Sequence, residues 1–234
     1  MAFSHSPKIV TDGLVVCLDA GDKNSYPGSG ATWSDVSGNG NDFTLYNSPT
    51  HNSDGYFTFD GVNQYGRSTN QIDLSSTNAV TVDVVFKVAS VTTNEMIFEH
   101  TSNWNSEDGA FGAFTNSNGG LANSPTTDND MHMNSEGARL DATISDVTSF
   151  SISTFIYKSS SVALYNNNVA ATQITLSNLS AVSGFANDYT YLSTRAGTNF
   201  FDGCDISFFR MYSRELSLKE IENNYSAMKS RFGI

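Results

Sequence analysis

Trp104 stands between Asn103 and Asn105, four residues after His100 and just past a strand-like stretch. An indole offers a flat apolar plane and the flanking amides offer donors and acceptors. That combination suits a ligand with an apolar ring face and a rim of hydroxyls, as a sugar has. Trp33, between Thr32 and Ser34, is a second residue of this kind, and His100 closes the strand that leads to the first. Asp19, Asp22, Asp60 and Asp205 lie near glycines at predicted strand ends, where loop carboxylates and carbonyls suit calcium. Asp-Gly neighbours also make turns with no ion at all, so no cofactor is required and calcium is the one these acids would take.

Acid–base catalysis is poorly served. Glycoside hydrolysis needs two carboxylates about 5–9.5 Å apart across one bond. Glu107 and Asp108 are adjacent and would point to opposite faces of a strand. Asp128 and Asp130 have the right parity but fall in a long polar stretch that reads as loop. His5, His51, His100 and His132 have no Ser or Cys motif around them, and no G-x-S-x-G turn occurs. The residue types therefore predict binding without catalysis.

The elements that must position these residues are strands. Charged residues are only 15% of the 234, against about 25% in ordinary domains, and Ser, Thr, Asn and Gly take their places. That balance favours short strands and many turns, and the length fits one large sandwich over residues 1–234. Strands are expected at Leu14–Asp19, Tyr56–Phe59, Ala79–Val91, Glu95–His100, Ala110–Phe114, Asp130–Met133, Thr148–Tyr157, Val162–Tyr165, Tyr189–Ser193 and Ile206–Tyr212. Residues 1–12 read as an N-terminal arm, and 20–43 as a long first loop rich in Gly and Asn. At the other end the period changes: Leu218, Ile221, Tyr225, Met228 and Phe232 fall on one helical face over 217–232. Ser217 and Glu220 form a capping box, and Gly233 can end the helix.

The net charge of −12 excludes classes of partner. A phosphate backbone needs clustered Lys and Arg, and an anionic membrane surface needs the same. Neither a basic-then-apolar leader nor an apolar run of about 18 residues is present, so membrane insertion is not expected. Cys17 and Cys204 make neither a metal set nor a secreted framework; both are expected buried and free, with a disulfide open if the end strands are neighbours.

The segments GLVVCLDAGDKNSYPGSGATWSDVSGNGNDFTLYN (13–47) and FTFDGVNQYG (57–66), with FFDGCDISFFRMYSRELSLKEIENNY (200–225), resemble laminin-G-like domains of the concanavalin A superfamily. The opening SPKIVTDGLV and the ending NNYSAMKSRFGI are similar to virion proteins of tailed phages, including those of cyanobacteria. The resemblance implies an all-β fold: a two-sheet antiparallel jelly-roll β-sandwich with a C-terminal α-helix, its first and last strands adjacent. It implies that Trp33 packs the long first loop. The Glu-x-Asp-x-x-Glu string of related hydrolases is absent. The function it implies is a virion structural protein (a capsid decoration, fibre or tail-associated subunit) that assembles as a homo-oligomer with other virion subunits and touches host or environmental glycans. A free lectin and a noncanonical glycan hydrolase are the alternatives.

Overall fold

The computed structural model describes residues 8–88, 95–103, 109–116, 127–133, 138–144, 149–158, 161–175 and 184–234. The first third holds β1 (Leu14–Asp19), β2 (Thr32–Trp33), β3 (Phe43–Tyr46), β4 (Thr50–Asn52), β5 (Tyr56–Thr58), β6 (Tyr65–Ser68) and β7 (Ile72–Asp73). Longer strands follow: β8 (Ala79–Val88), β9 (Glu95–His100), β10 (Phe111–Asn116), β11 (Thr127–Met133), β12 (Ala138–Ile144) and β13 (Ser151–Lys158). The chain ends with β14 (Ser161–Asn166), β15 (Val169–Thr175), β16 (Asn187–Asp188), β17 (Thr190–Leu192), β18 (Cys204–Tyr212) and α1 (Leu218–Phe232). No described helix is long and apolar enough to cross a membrane.

Two eight-stranded antiparallel sheets pack face to face. The first runs β15-β14-β13-β8-β18-β5-β4, with β1 also paired to β18; the second runs β12-β11-β10-β9-β17-β6-β3-β2. Alternation places Val80, Val82, Val84 and Phe86 of β8 inward with Phe155, Tyr157, Phe209 and Met211 of the first sheet. Phe43, Leu45, Phe98, Phe111 and Leu192 of the second sheet meet them there. Edge-to-face ring contacts fill the layer between, such as Phe98 on Phe155 at 5.3 Å and on Phe209 at 5.6 Å. The expected sandwich, its neighbouring end strands and its terminal helix are all present.

The long first loop is where expectation and structure part. It contains β2 and runs into β3 at its last residue, because Trp33 and Phe43 pair across the strands and both bury fully. β4, β6, β7, β12, β15 and β16 were also not expected, and β11 begins three residues earlier than the strand expected at Asp130. Cys17 and Cys204 are both buried and free. Cys17 pairs in register with Arg210, six residues along β18 from Cys204, a separation of roughly 20 Å at strand rise, which no disulfide spans.

The helix covers the outer face of the first sheet. Tyr225, Met228 and Phe232 pack on Val85, Ile152 and Phe208, while Ile221 joins Ile156, Ala163, Tyr165 and Tyr212. The Ser217–Glu220 capping box forms and Gly233 ends the helix in the left-handed region. A polar knot pins it. Asp83 accepts from Thr154 Oγ1 at 2.7 Å and Asn224 Nδ2 at 2.8 Å, and lies 3.2 Å from the Arg210 guanidinium. Asn224 also takes the Val10 N–H at 2.8 Å, which ties the N-terminal arm to the helix.

Candidate functional site

The outer face of the second sheet carries a different set of residues. Register aligns Thr44 with Arg67, Arg67 with Tyr191, Tyr191 with Glu99, and Glu99 with Gly112, in one row across β3, β6, β17, β9 and β10. The row continues in register through His132 of β11 and Arg139 of β12. Period-two alternation puts Thr44, Arg67, Tyr191 and Glu99 on the face away from the core, since Leu45, Leu192, Phe98 and Phe111 point into it.

Beside that row Tyr46 and Tyr65 oppose each other across β3 and β6. Their rings lie 4.5 Å apart and 6° from parallel, so they stack side by side on the sheet. The Arg67 guanidinium extends the stack: its carbon sits 5.3 Å from the Tyr46 ring centre and 4.7 Å from that of Tyr189. Such cation–π contacts hold a guanidinium plane without consuming all its donors. Burial raises the Tyr65 and Tyr191 hydroxyls above the ordinary phenol value, so both stay protonated donors at neutral pH. Tyr46, Tyr65, Arg67 and Tyr189 all remain partly exposed.

A loop over 193–201 roofs one end of the face. Ala196 N–H donates to Glu99 Oε1 at 2.7 Å, which buries the carboxylate beneath the loop. Ser193, Ala196, Gly197 and Phe200 all have positive φ, between 49° and 70°. Gly197 sits against Tyr65: a Cβ there would lie 3.0 Å from the phenol Cζ, so only glycine lets the loop come this close. Met96 N–H donates to the Phe200 carbonyl at 2.9 Å. Phe201 stands 6.2 Å from Tyr65, and Arg195 lies over the 40% exposed Phe200 ring at 5.6 Å. Backbone held in sparsely populated conformations is a recurrent property of binding sites.

The residues expected to contact a ligand fall elsewhere. Trp33 is fully buried against Phe57, with ring centres 4.7 Å apart, so it packs the first loop and offers no face to a ligand. His100 is also fully buried. It stacks on Phe111 at 5.0 Å and bonds Thr190 Oγ1 through Nδ1 at 2.8 Å and the Ala186 carbonyl through Nε2 at 3.0 Å. Desolvation pushes its pKa down to about 4, so it is a neutral core histidine. Asn103 is exposed, with its N–H held by Thr101 Oγ1 at 2.9 Å. Asp188 anchors the same segment by accepting from Ser102 N and Oγ, both at 2.6 Å. Trp104 and Asn105, like Glu107 and Asp108, lie outside the described residues.

The four acids are not gathered into one cluster. Both Asp19 oxygens are held by Arg231 Nη1, at 2.6 and 2.8 Å. Asp22 accepts from Asn24, and Asp205 from Thr58 while pairing with Lys87 at 3.1 Å. Asp60 is partly desolvated, which raises its pKa, but three N–H bonds from Val62, Asn63 and Gln64 outweigh that and lower it. Each carboxylate serves its own turn or cation. No group of three or more His, Cys, Asp or Glu suited to a metal occurs among the described residues.

Sequence reasoning missed the tyrosine–arginine face. The available signal was that Tyr46, Tyr65, Arg67 and Tyr191 all sit at polar-side positions of alternating stretches, but nothing local shows that those stretches become neighbours.

Known structures share the fold. The receptor-binding domain of botulinum neurotoxin C/D mosaic serotype superposes with a TM-score of 0.67 at 15% identity, covering 92% of this chain and 51% of that one. The serotype D ligand-binding domain in complex with N-acetylneuraminic acid gives 0.66 at 14% identity, covering 92% and 51%. A type C structure, described as entering cells through two ganglioside molecules, gives 0.65 at 14%, covering 94% and 52%. This chain thus spans about half the length of each, and at such identities the likeness is one of fold. No family model matches the sequence, and no curated protein does.

Proposed function

We propose that this chain is a non-catalytic glycan-binding sandwich that holds its ligand on the open face of the second sheet. The observation that carries the reading is the rank Tyr65–Tyr46–Arg67–Tyr189, stacked in contact and partly exposed on a face only partly roofed by the 193–201 loop. Phenol and guanidinium groups pre-set by packing bind sugar hydroxyls at little entropic cost. The fold's likeness to toxin domains described with sialic acid and gangliosides supports it. Trp104, with Asn103 and Asn105, is proposed as a second contact from the segment that follows β9 in the sequence.

Glycan-array screening of the full chain tests this. Arg67→Ala should weaken the best ligand about tenfold, the equivalent of one or two hydrogen bonds of roughly 1 kcal/mol each. Tyr46→Phe and Tyr65→Phe keep the rings and remove only the hydroxyls; each should weaken binding severalfold. Unchanged affinity in all three would move the site off this face, and loss confined to Trp104→Ala would place it at that residue.

The similarity of both chain ends to tailed-phage virion proteins favours a finer reading, in which the module is a decoration, fibre or tail-associated subunit repeated in symmetric copies and joined to other virion subunits. Mass spectrometry of purified particles checks it, and absence of the chain from them would remove it.

A further inference from the structure

We infer that Phe200 is the stacking residue of this site, so that the ligand is a glycan whose pyranose ring lays its apolar C–H face on the phenyl plane. The inference rests on the glycan reading above and deepens it by naming the ring contact. Among the described residues Phe200 is the one exposed aromatic, with 40% of its surface in solvent. Its φ is 49°, in the left-handed region that suits Gly or Asn and makes a bulky aromatic an outlier. Asn199, which would adopt that conformation at less cost, stands one position earlier. Folding alone gains nothing from a ring that is both strained and exposed.

Backbone bonds hold the strain, and none of them needs the ring. The Phe200 carbonyl accepts from Met96 N–H at 2.9 Å, and Phe201 bridges to Met96. On the other side Arg195 N–H donates to the Asn199 carbonyl at 2.9 Å, and Thr194 Oγ1 donates to the same carbonyl at 3.0 Å. Any residue in place of Phe200 would keep these bonds, so they fix its backbone without explaining why its side chain is aromatic. The Arg195 guanidinium, 5.6 Å from the ring centre, helps to hold the plane. The loop meets the tyrosine rank through two neighbours of Phe200: Gly197 packs on Tyr65, and the Phe201 ring lies 6.2 Å from it. An apolar plane bordering phenol and guanidinium groups matches the two sides of a sugar, its C–H face and its hydroxyl rim.

The test is calorimetric titration of the full chain with laminarin, dextran, mannan, heparin and sialyllactose, beside a thermal melt of each variant. Phe200→Asn suits the left-handed backbone and removes the ring. It should keep the wild-type melting temperature within about 3 °C or raise it, and weaken whichever probe the wild type binds by about tenfold. Phe200→Leu, which keeps apolar bulk and loses the plane, should weaken that probe as much, and Phe200→Tyr should restore it to within about twofold of wild type. Wild-type affinity in Phe200→Asn or Phe200→Leu would overturn the inference, and loss in Arg67→Ala would then keep the glycan reading. A larger fall in the Phe200→Asn melting temperature would make the ring a packing element and overturn the inference too. Failure of all five probes on the folded wild-type chain would overturn the glycan reading and this inference with it.

Discussion

The two outer faces of the sandwich are built from the same strand alternation and end in opposite states. The face of the first sheet bears Val85, Ile152, Ile156, Phe208 and Tyr212, all buried beneath α1, and its charged pair Asp83–Arg210 is buried with them. The face of the second sheet bears Tyr46, Tyr65, Arg67 and Tyr189, each partly exposed. A covered face commits its polar groups to one another, so that Asp83 serves Thr154, Asn224 and Arg210 together. An open face stacks its side chains to hold their shape and leaves their polar edges uncommitted. The difference teaches where energy is stored in this fold: stability lies in the helix-covered layer, and the other face is left for the recognition proposed above.

The sharpest way to break that contrast is Asp83→Ala. It leaves the guanidinium of Arg210, only 2% exposed, without its carboxylate, and removing one partner of a buried pair costs about 3–5 kcal/mol. Urea unfolding should show a loss of that size, with glycan affinity of the folded fraction unchanged. A loss below about 1 kcal/mol would mean the covered face is not the store of stability.

Acid should act next, through His100. Its folded pKa of about 4 lies below the 6.5 of a free imidazole, so the unfolded chain takes up the proton first. Stability is therefore full above pH 6.5 and is lost as pH falls from there toward 4, by up to about 3 kcal/mol. Glu220 cannot account for this window. Hydrogen bonds from Arg214, then Ser217, hold it at about 2, and its contribution is lost only below its ordinary value of 4.5. The slope between pH 6.5 and 5 in wild type should vanish in His100→Gln.

Gly197→Ala belongs to the open face and should cost about 1–2 kcal/mol, because alanine is strained at a φ of +70° and its Cβ meets Tyr65. Glycan affinity should fall with it, as the loop backs away from the ring; strain without an affinity change would detach the loop from the site. The smallest stability effect is expected from Tyr46→Phe, within about 0.5 kcal/mol in urea, as for surface changes that break no buried network. A large loss there would show that the open face also carries the fold.

The layer architecture was legible because its signals are local. Alternation in AVTVDVVFKV marks a buried strand, and Ser217, Glu220 and Gly233 mark the helix ends within a few residues of the apolar stripe they serve. The strands of the first loop were hidden, since two- to four-residue strands such as Thr32–Trp33 and Phe43–Tyr46 exist only because their partners supply the ladder and the core. His100 and Trp33 misled for a related reason: an isolated polar or aromatic residue carries no mark of whether a neighbour such as Ala186 or Phe57 will enclose it.

The sequence by itself determined an all-β sandwich closed by a capped amphipathic helix, with a strong negative charge and no clustered base. Tertiary structure alone decided which of its two faces the helix covers, and which polar side chains were left exposed on the other. The physical reason is that strand alternation assigns every residue an inside or an outside, whereas the partner across the sheet, up to most of the chain length away, decides what each outside residue stands beside.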